Sequence, residues 1–126
     1  MNDGNEIFDR QKMLDCLDGD IELIKRICSK FLSTYSPVLD NIRTAVSNKD
    51  CNALVNSAHY LKGSFAVFYA ERAKNAAFEL EMIGKNASFD NAGACLAILE
   101  KEVQALVTCL EKELQENSGT APPAKN

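Results

Sequence analysis

Ile24-Lys25-Arg26-Ile27-Cys28-Ser29-Lys30-Phe31-Leu32-Ser33-Thr34-Tyr35-Ser36-Pro37-Val38-Leu39-Asp40-Asn41-Ile42-Arg43-Thr44-Ala45-Val46 places apolar residues three and four apart along its whole length. Ile24, Ile27, Cys28, Phe31, Tyr35, Val38, Leu39, Ile42, Ala45 and Val46 fall on one helical face for about six turns. Asp20 is placed to cap the start. Pro37 removes an amide donor in mid-run, and because the hydrophobic phase continues through it, a kink is expected rather than a break.

The same rhythm continues outward. Asp50 is placed to cap a second helix through Leu54, Ala58, Leu61, Phe65 and Phe68. A third helix is predicted from about Ala70 to Ile83 through Ala73, Ala76, Ala77 and Leu80, with Gly84 positioned to end it. Ser88 or Asp90 would cap a fourth, whose Ala92, Leu96, Leu99, Val103, Leu106 and Leu110 form a stripe as far as about Leu114. Before Asp18-Gly19-Asp20, a shorter helix with Ile7, Phe8, Met13, Leu14 and Leu17 is expected to cover one end. No alternating strand pattern flanked by hairpin signals occurs. Short connections favour antiparallel neighbours, so the expectation is all-α: an up-down-up-down four-helix bundle with a short additional N-terminal helix. The bundle is expected over residues 1–116. Residues 117–126, Asn-Ser-Gly-Thr-Ala-Pro-Pro-Ala-Lys-Asn, lack periodicity and read as a disordered tail or linker stub.

Composition narrows the function. The chain has 126 residues, 46% of them hydrophobic and 25% charged, with six glycines and three prolines. That is the balance of one globular domain. No apolar run approaches the roughly 20 residues of a spanning helix. Residues 1–6 lack the basic start and apolar stretch of a secretory signal, so a cytoplasmic location is expected. A formal net charge of −4 without a basic cluster argues against nucleic acid. Cys16, Cys28, Cys51, Cys95 and Cys109 form no close pair and read as small buried hydrophobes, and no metal site is expected.

His59 is the chain's single histidine. At about 100° per residue, the core stripe of its helix is centred roughly 140° away, so the ring should face solvent. Within about 60° of it lie Asn52, Val55, Asn56, Lys62, Gly63, Ala66 and Ala70. A glycine in a helix interior costs about 0.5–1 kcal/mol relative to alanine. Such a cost at Gly63, beside His59 on the next turn, is explained if something must approach the backbone there. Free imidazole, with an ordinary pKa of about 6.5, is a competent nucleophile near neutral pH. Lys62 supplies a neighbouring point charge. From helical geometry alone, an ordinary surface histidine, a solvated lysine and an accidental or packing glycine are the commoner reading of such a face.

The run Ala58-His59-Tyr60-Leu61-Lys62-Gly63-Ser64, followed by Ala66, Phe68 and Ala70 and later by Phe78-Glu79-Leu80-Glu81, resembles the signature of histidine-containing phosphotransfer (HPt) domains. The likeness extends in pattern over about residues 8–115, including the Phe31 region and the Asn48-Lys49-Asp50 turn. It implies a phosphorelay intermediate: His59 phosphorylated, Lys62 assisting the phosphoryl group, and Gly63 leaving room for it and for the docking protein. The implied partners are response-regulator receiver domains and a sensor or hybrid histidine kinase. Asn52, Val55, Asn56, Tyr60, Gly63 and Ala66 are the candidate docking residues. No cofactor is expected on this chain, Mg2+ is expected on the receiver, and a monomer is expected. Three positions depart from the pattern: Phe65 stands where a small residue is common, Tyr69 where glycine is, and Tyr60 where threonine or serine is frequent. Two other functions remain in view, a chemotaxis-kinase-type HPt segment fed by a separate ATP-binding domain and a helical adaptor without transfer. The chain has no glycine-rich nucleotide loop for phosphorylating itself.

Overall fold

Three aspartates start three helices. Asp9 accepts a hydrogen bond from the Lys12 amide at 3.1 Å, Asp20 from Leu23 at 3.0 Å, and Asp50 from Ala53 at 3.1 Å. Each cap is worth about 1 kcal/mol. The computed structural model describes residues 7–119, with side chains through residue 115. Five helices lie wholly within that range: α1 Arg10–Cys16, α2 Ile21–Asn48, α3 Cys51–Val67, α4 Glu71–Asn86 and α5 Ala92–Gly119. No strand occurs among the described residues.

α2 runs unsplit through Pro37. In the turn before the proline, the Ser33 and Thr34 hydroxyls donate back to the Lys30 carbonyl. α1 starts later than expected, at Arg10, so Ile7 and Phe8 precede it; Phe8 is nevertheless buried, with its ring edge-on to Phe68 at 6.5 Å. At the start of α5 it is the Asn91 carbonyl, not Ser88 or Asp90, that closes the first turn, accepting from the Cys95 amide. α5 extends past Leu114 to Gly119, so the expected tail boundary at residue 117 falls inside a helix; residues 120–126 lie outside the described residues.

α2 packs on α3, α3 on α4, α4 on α5, and α5 back on α2, which closes a ring of four helices around one core. Phe31 from α2 meets Phe65 of α3 at 5.9 Å and Phe68 at 5.5 Å. Phe65 is fully buried, so the bulk that departs from the family pattern is taken up in the core, away from His59. Of the cysteines only Cys28 is buried, and burial pushes its thiol up to about 11; Cys16 is exposed and Cys51, Cys95 and Cys109 are partly covered. The expectation that all five are buried hydrophobes is therefore corrected. No helix of the described residues is long and apolar enough to cross a membrane.

Gly84 does not end α4. The helix continues to Asn86, and Ala87 takes the left-handed conformation (φ 52°), with its amide donating to the Gly84 carbonyl and that of Ser88 to Ile83. This is a Schellman closure without glycine. Gly84 instead faces α3, where an added Cβ would stand 2.7 Å from Val55 Cγ2, 3.1 Å from the Cys51 carbonyl oxygen and 3.2 Å from the Val55 amide nitrogen. The glycine lets two helix backbones approach. Gly84→Ala is therefore expected to destabilise the fold by on the order of 1 kcal/mol, as overpacking outweighs the better helix propensity of alanine. Denaturant unfolding checks this, and an alanine variant at least as stable as the parent would show that the seam has slack.

Candidate functional site

α3 carries His59 out of the core as its phase demands: Leu54, Ala58, Leu61 and Phe65 are buried, while the His59 side chain is 68% exposed. Gly63 is exposed one turn on, and an added Cβ there would meet nothing within 4 Å. Close packing is thus the role of Gly84, and Gly63 leaves open surface beside the imidazole.

The described residues bury three acidic side chains, Glu81, Glu102 and Glu113. Glu113 of α5 pairs with Arg10 of α1 at 2.7 Å, and Glu102 of α5 with Arg72 of α4 at 2.9 Å, tying helices together. Glu81 of α4 is different, because its partners converge on the histidine. Its Oε2 lies 3.1 Å from His59 Nδ1, its Oε1 2.7 Å from Lys62 Nζ, and Lys85 Nζ stands 3.5 Å from Oε2. Oε1 accepts no well-aligned hydrogen bond, so the Lys62 ammonium serves it as an ion pair. Lys62 Nζ also lies over the Phe78 ring, 5.3 Å from its centroid.

Burial raises the Glu81 carboxyl's pKa, but the Lys62 and His59 contacts and the charge of Lys85 outweigh it and hold the group below its ordinary 4.5. An ionised carboxylate only accepts, so in a neutral ring Nδ1 must carry the proton and Nε2 the lone pair. Glu81 thereby fixes the tautomer of the neutral ring and leaves the lone-pair nitrogen, Nε2, free of the buried carboxylate. Because the folded pKa is depressed, the stabilisation from ionised Glu81 is complete above the unfolded carboxylate range and is lost as pH falls below 4.5 through the folded value. Glu81→Gln should accordingly flatten the fall of stability below that pH. It should also slow reaction at Nε2 by about tenfold or more, equivalent to roughly 1.4 kcal/mol, since an amide can donate to Nδ1 and favour the wrong tautomer. An unchanged acid-unfolding curve and unchanged rate would remove Glu81 from the site.

The Hpt domain family model matches residues 26–109, which take in α3, α4 and most of α2 and α5. The chain belongs to the Hpt domain family. Hpt domains are phosphocarriers of two-component signalling, acting between histidine kinases and receiver domains, and this chain is such a phosphorelay intermediate rather than a kinase. Its structure is similar to the crystal structure of histidine-containing phosphotransfer protein B (HptB) from Pseudomonas aeruginosa PAO1, with a TM-score of 0.79 and 19% identity over 86% of this chain and 95% of that one. At that identity the likeness establishes the fold. No curated protein matches the sequence.

In this Hpt domain the expected docking residues divide. Asn52, Asn56, Tyr60, Gly63 and Ala66 are exposed on α3, Tyr60 at 49%. Val55 is half-covered, because its Cγ2 packs towards Gly84 in the seam with α4. Tyr60 also borders a groove of about 340 Å³ between α2 and α3, lined by Ile27, Phe31, Ser64 and Val67. Reasoning from α3 alone missed Glu81, Lys85 and Phe78. A signal for Glu81 was present: it sits four residues after Ala77 and three before Gly84, in the phase of α4's buried stripe.

Tyr69, where the family pattern has glycine, adopts φ 53° in the turn between α3 and α4. A side chain in that conformation costs roughly 1–2 kcal/mol. Offsetting contacts come from α1: the Tyr69 hydroxyl is 3.2 Å from Cys16 Sγ, and Lys12 Nζ lies 5.7 Å from the ring centroid. The adjacent Phe68 carbonyl accepts from the Asp9 amide at 3.1 Å. The substitution thus docks the N-terminal helix on the turn.

Proposed function

We propose that His59 is the phosphorylated residue, that it accepts the group at Nε2 from a receiver aspartyl phosphate, and that it passes it to another receiver aspartate. The observation that carries this reading is that a member of a histidine phosphotransfer family has one histidine, and a buried carboxylate holds that residue's Nδ1. Lys62 on Oε1 of Glu81 and Lys85 near its Oε2 bring positive charge to the carboxylate that holds His59, and Gly63 admits the partner. Asn52, Asn56, Tyr60 and Ala66 form the docking face, with Val55 at its covered edge.

In this reading the chain works as a cytoplasmic monomer, binds no cofactor of its own and no nucleic acid, and meets a receiver that holds Mg2+. An up-down-up-down antiparallel arrangement of α2 to α5 is supported by their short connections and ring of neighbour contacts. Incubation with a phosphorylated receiver domain tests the function. Acid-labile, alkali-stable phosphate should appear on this chain, up to one group per molecule. Binding of the receiver without transfer would make the chain an adaptor and refute the proposal.

A further inference from the structure

Two lysines share the Glu81 carboxylate, and the structure holds them unequally. Lys62 Nζ is 2.7 Å from Oε1, its side chain is only a quarter exposed, and Phe78 lies beneath the ammonium. Withdrawing it would leave Oε1 of a side chain 3% exposed without its ion-pair partner, the costly case for a buried charge. Lys85 is one turn after Glu81 on α4, at 3.5 Å from Oε2 with its side chain 53% exposed. That separation exceeds a good hydrogen bond. Oε2 would keep the His59 Nδ1 donor if Lys85 left. The Lys85 ammonium and the His59 imidazole meet at one oxygen atom, and the flexible, half-exposed lysine stem can leave that oxygen without breaking a good hydrogen bond.

We propose that Lys85 is a phosphoryl-binding residue that moves from Glu81 to the phosphoryl oxygens when His59 is phosphorylated, while Lys62 stays on Glu81 and acts as a positioning residue. This rests on the proposed function of His59. In the transfer, the Nε2 lone pair forms the N–P bond as the P–O bond to the partner's aspartate breaks and its electron pair returns to that carboxylate. The Nδ1 proton stays on the ring, hydrogen-bonded to Glu81, which counters the positive charge the imidazole acquires. The phosphoryl oxygens, carrying more negative charge than a single carboxylate and lying at the exposed nitrogen, attract the loosely held cation in preference to the fixed one. Reverse transfer returns Lys85 to Glu81.

The test combines amine-detected NMR of the isolated phosphorylated protein with single-turnover transfer from a phosphorylated receiver. On phosphorylation the Lys85 Nζ signal should shift strongly and that of Lys62 little. Lys85→Gln should transfer more slowly by about tenfold or more with unchanged thermal unfolding, and Lys85→Arg should restore most of the rate. Lys62→Gln should instead lower the thermal midpoint and disturb the His59 Nδ1 signal. Full-rate transfer by Lys85→Gln, or a phosphorylation shift confined to Lys62, would overturn the assignment while leaving His59 as the carrier. A wild-type protein that takes no phosphate on His59 would overturn the proposed function, and the assignment with it.

Discussion

His59→Gln is expected to abolish phosphoryl acceptance and leave the fold intact. The loss is complete because the sequence offers no second histidine to take over. The side chain is two-thirds exposed and contributes one hydrogen bond, to Glu81, which a glutamine amide can replace. The stability change should therefore stay within about 1 kcal/mol. Receiver-dependent phosphate incorporation and thermal unfolding, measured on the same preparation, check both halves. A variant that still accepts phosphate would place the carrier on another residue type, and a variant that unfolds would make His59 structural.

Gly63→Gln separates function from stability in the other direction. A helical side chain leans back over the preceding turn, so a residue at 63 covers the space beside His59. With nothing within 4 Å of the added Cβ, the protein itself does not oppose the substitution. Replacing glycine in an exposed helix interior should preserve stability or raise it by up to roughly 1 kcal/mol. Transfer, however, should be blocked, because the amide-bearing chain occupies the receiver's approach. Gly63→Ala should be milder. Full-rate transfer by Gly63→Gln would show that the partner arrives over a different surface, and loss of the fold would contradict the open space seen at this position.

Two helical glycines, Gly63 and Gly84, show what a sequence discloses and what it hides. Gly63 was legible because its neighbour is four residues away on the same helix, where periodicity alone places it. Gly84 was read as a helix end because its actual neighbour, Val55, lies on another helix, and no local pattern reveals that contact. Helix starts were legible at Asp20 and Asp50, whose carboxylates bond amides three residues on. Helix ends were not. Apart from Gly19 in the turn after α1, the left-handed positions fall on Asp18, Lys49, Tyr69 and Ala87, so the turns that end α2, α3 and α4 lack the glycine that usually announces them.

The site divides in the same way. His59, Lys62 and Gly63 share α3, and their common face followed from about 100° per residue. Glu81 and Lys85 belong to α4, and Glu81 reaches His59 only through the packing of α3 on α4, which the close approach at Gly84 permits. An acidic residue in the phase of a buried stripe carried the necessary signal at Glu81. It required a cationic partner from another helix, and Lys62 is that partner. Lys62 was read as a point charge beside His59; its ion pair with the buried carboxylate, 2.7 Å away, could not be seen from α3 alone.

The central claim is that Glu81 keeps the proton on Nδ1 and leaves Nε2 of His59 to carry the phosphoryl group. Long-range 1H–15N spectra of the imidazole, recorded before and after phosphorylation by a receiver, measure this directly. A protonated Nδ1 and a bare Nε2 are expected in the neutral ring before transfer, and a phosphorus-coupled Nε2 with Nδ1 still protonated after it. A phosphoryl group on Nδ1, or an imidazole whose spectrum does not change while the receiver loses its phosphate, would contradict it.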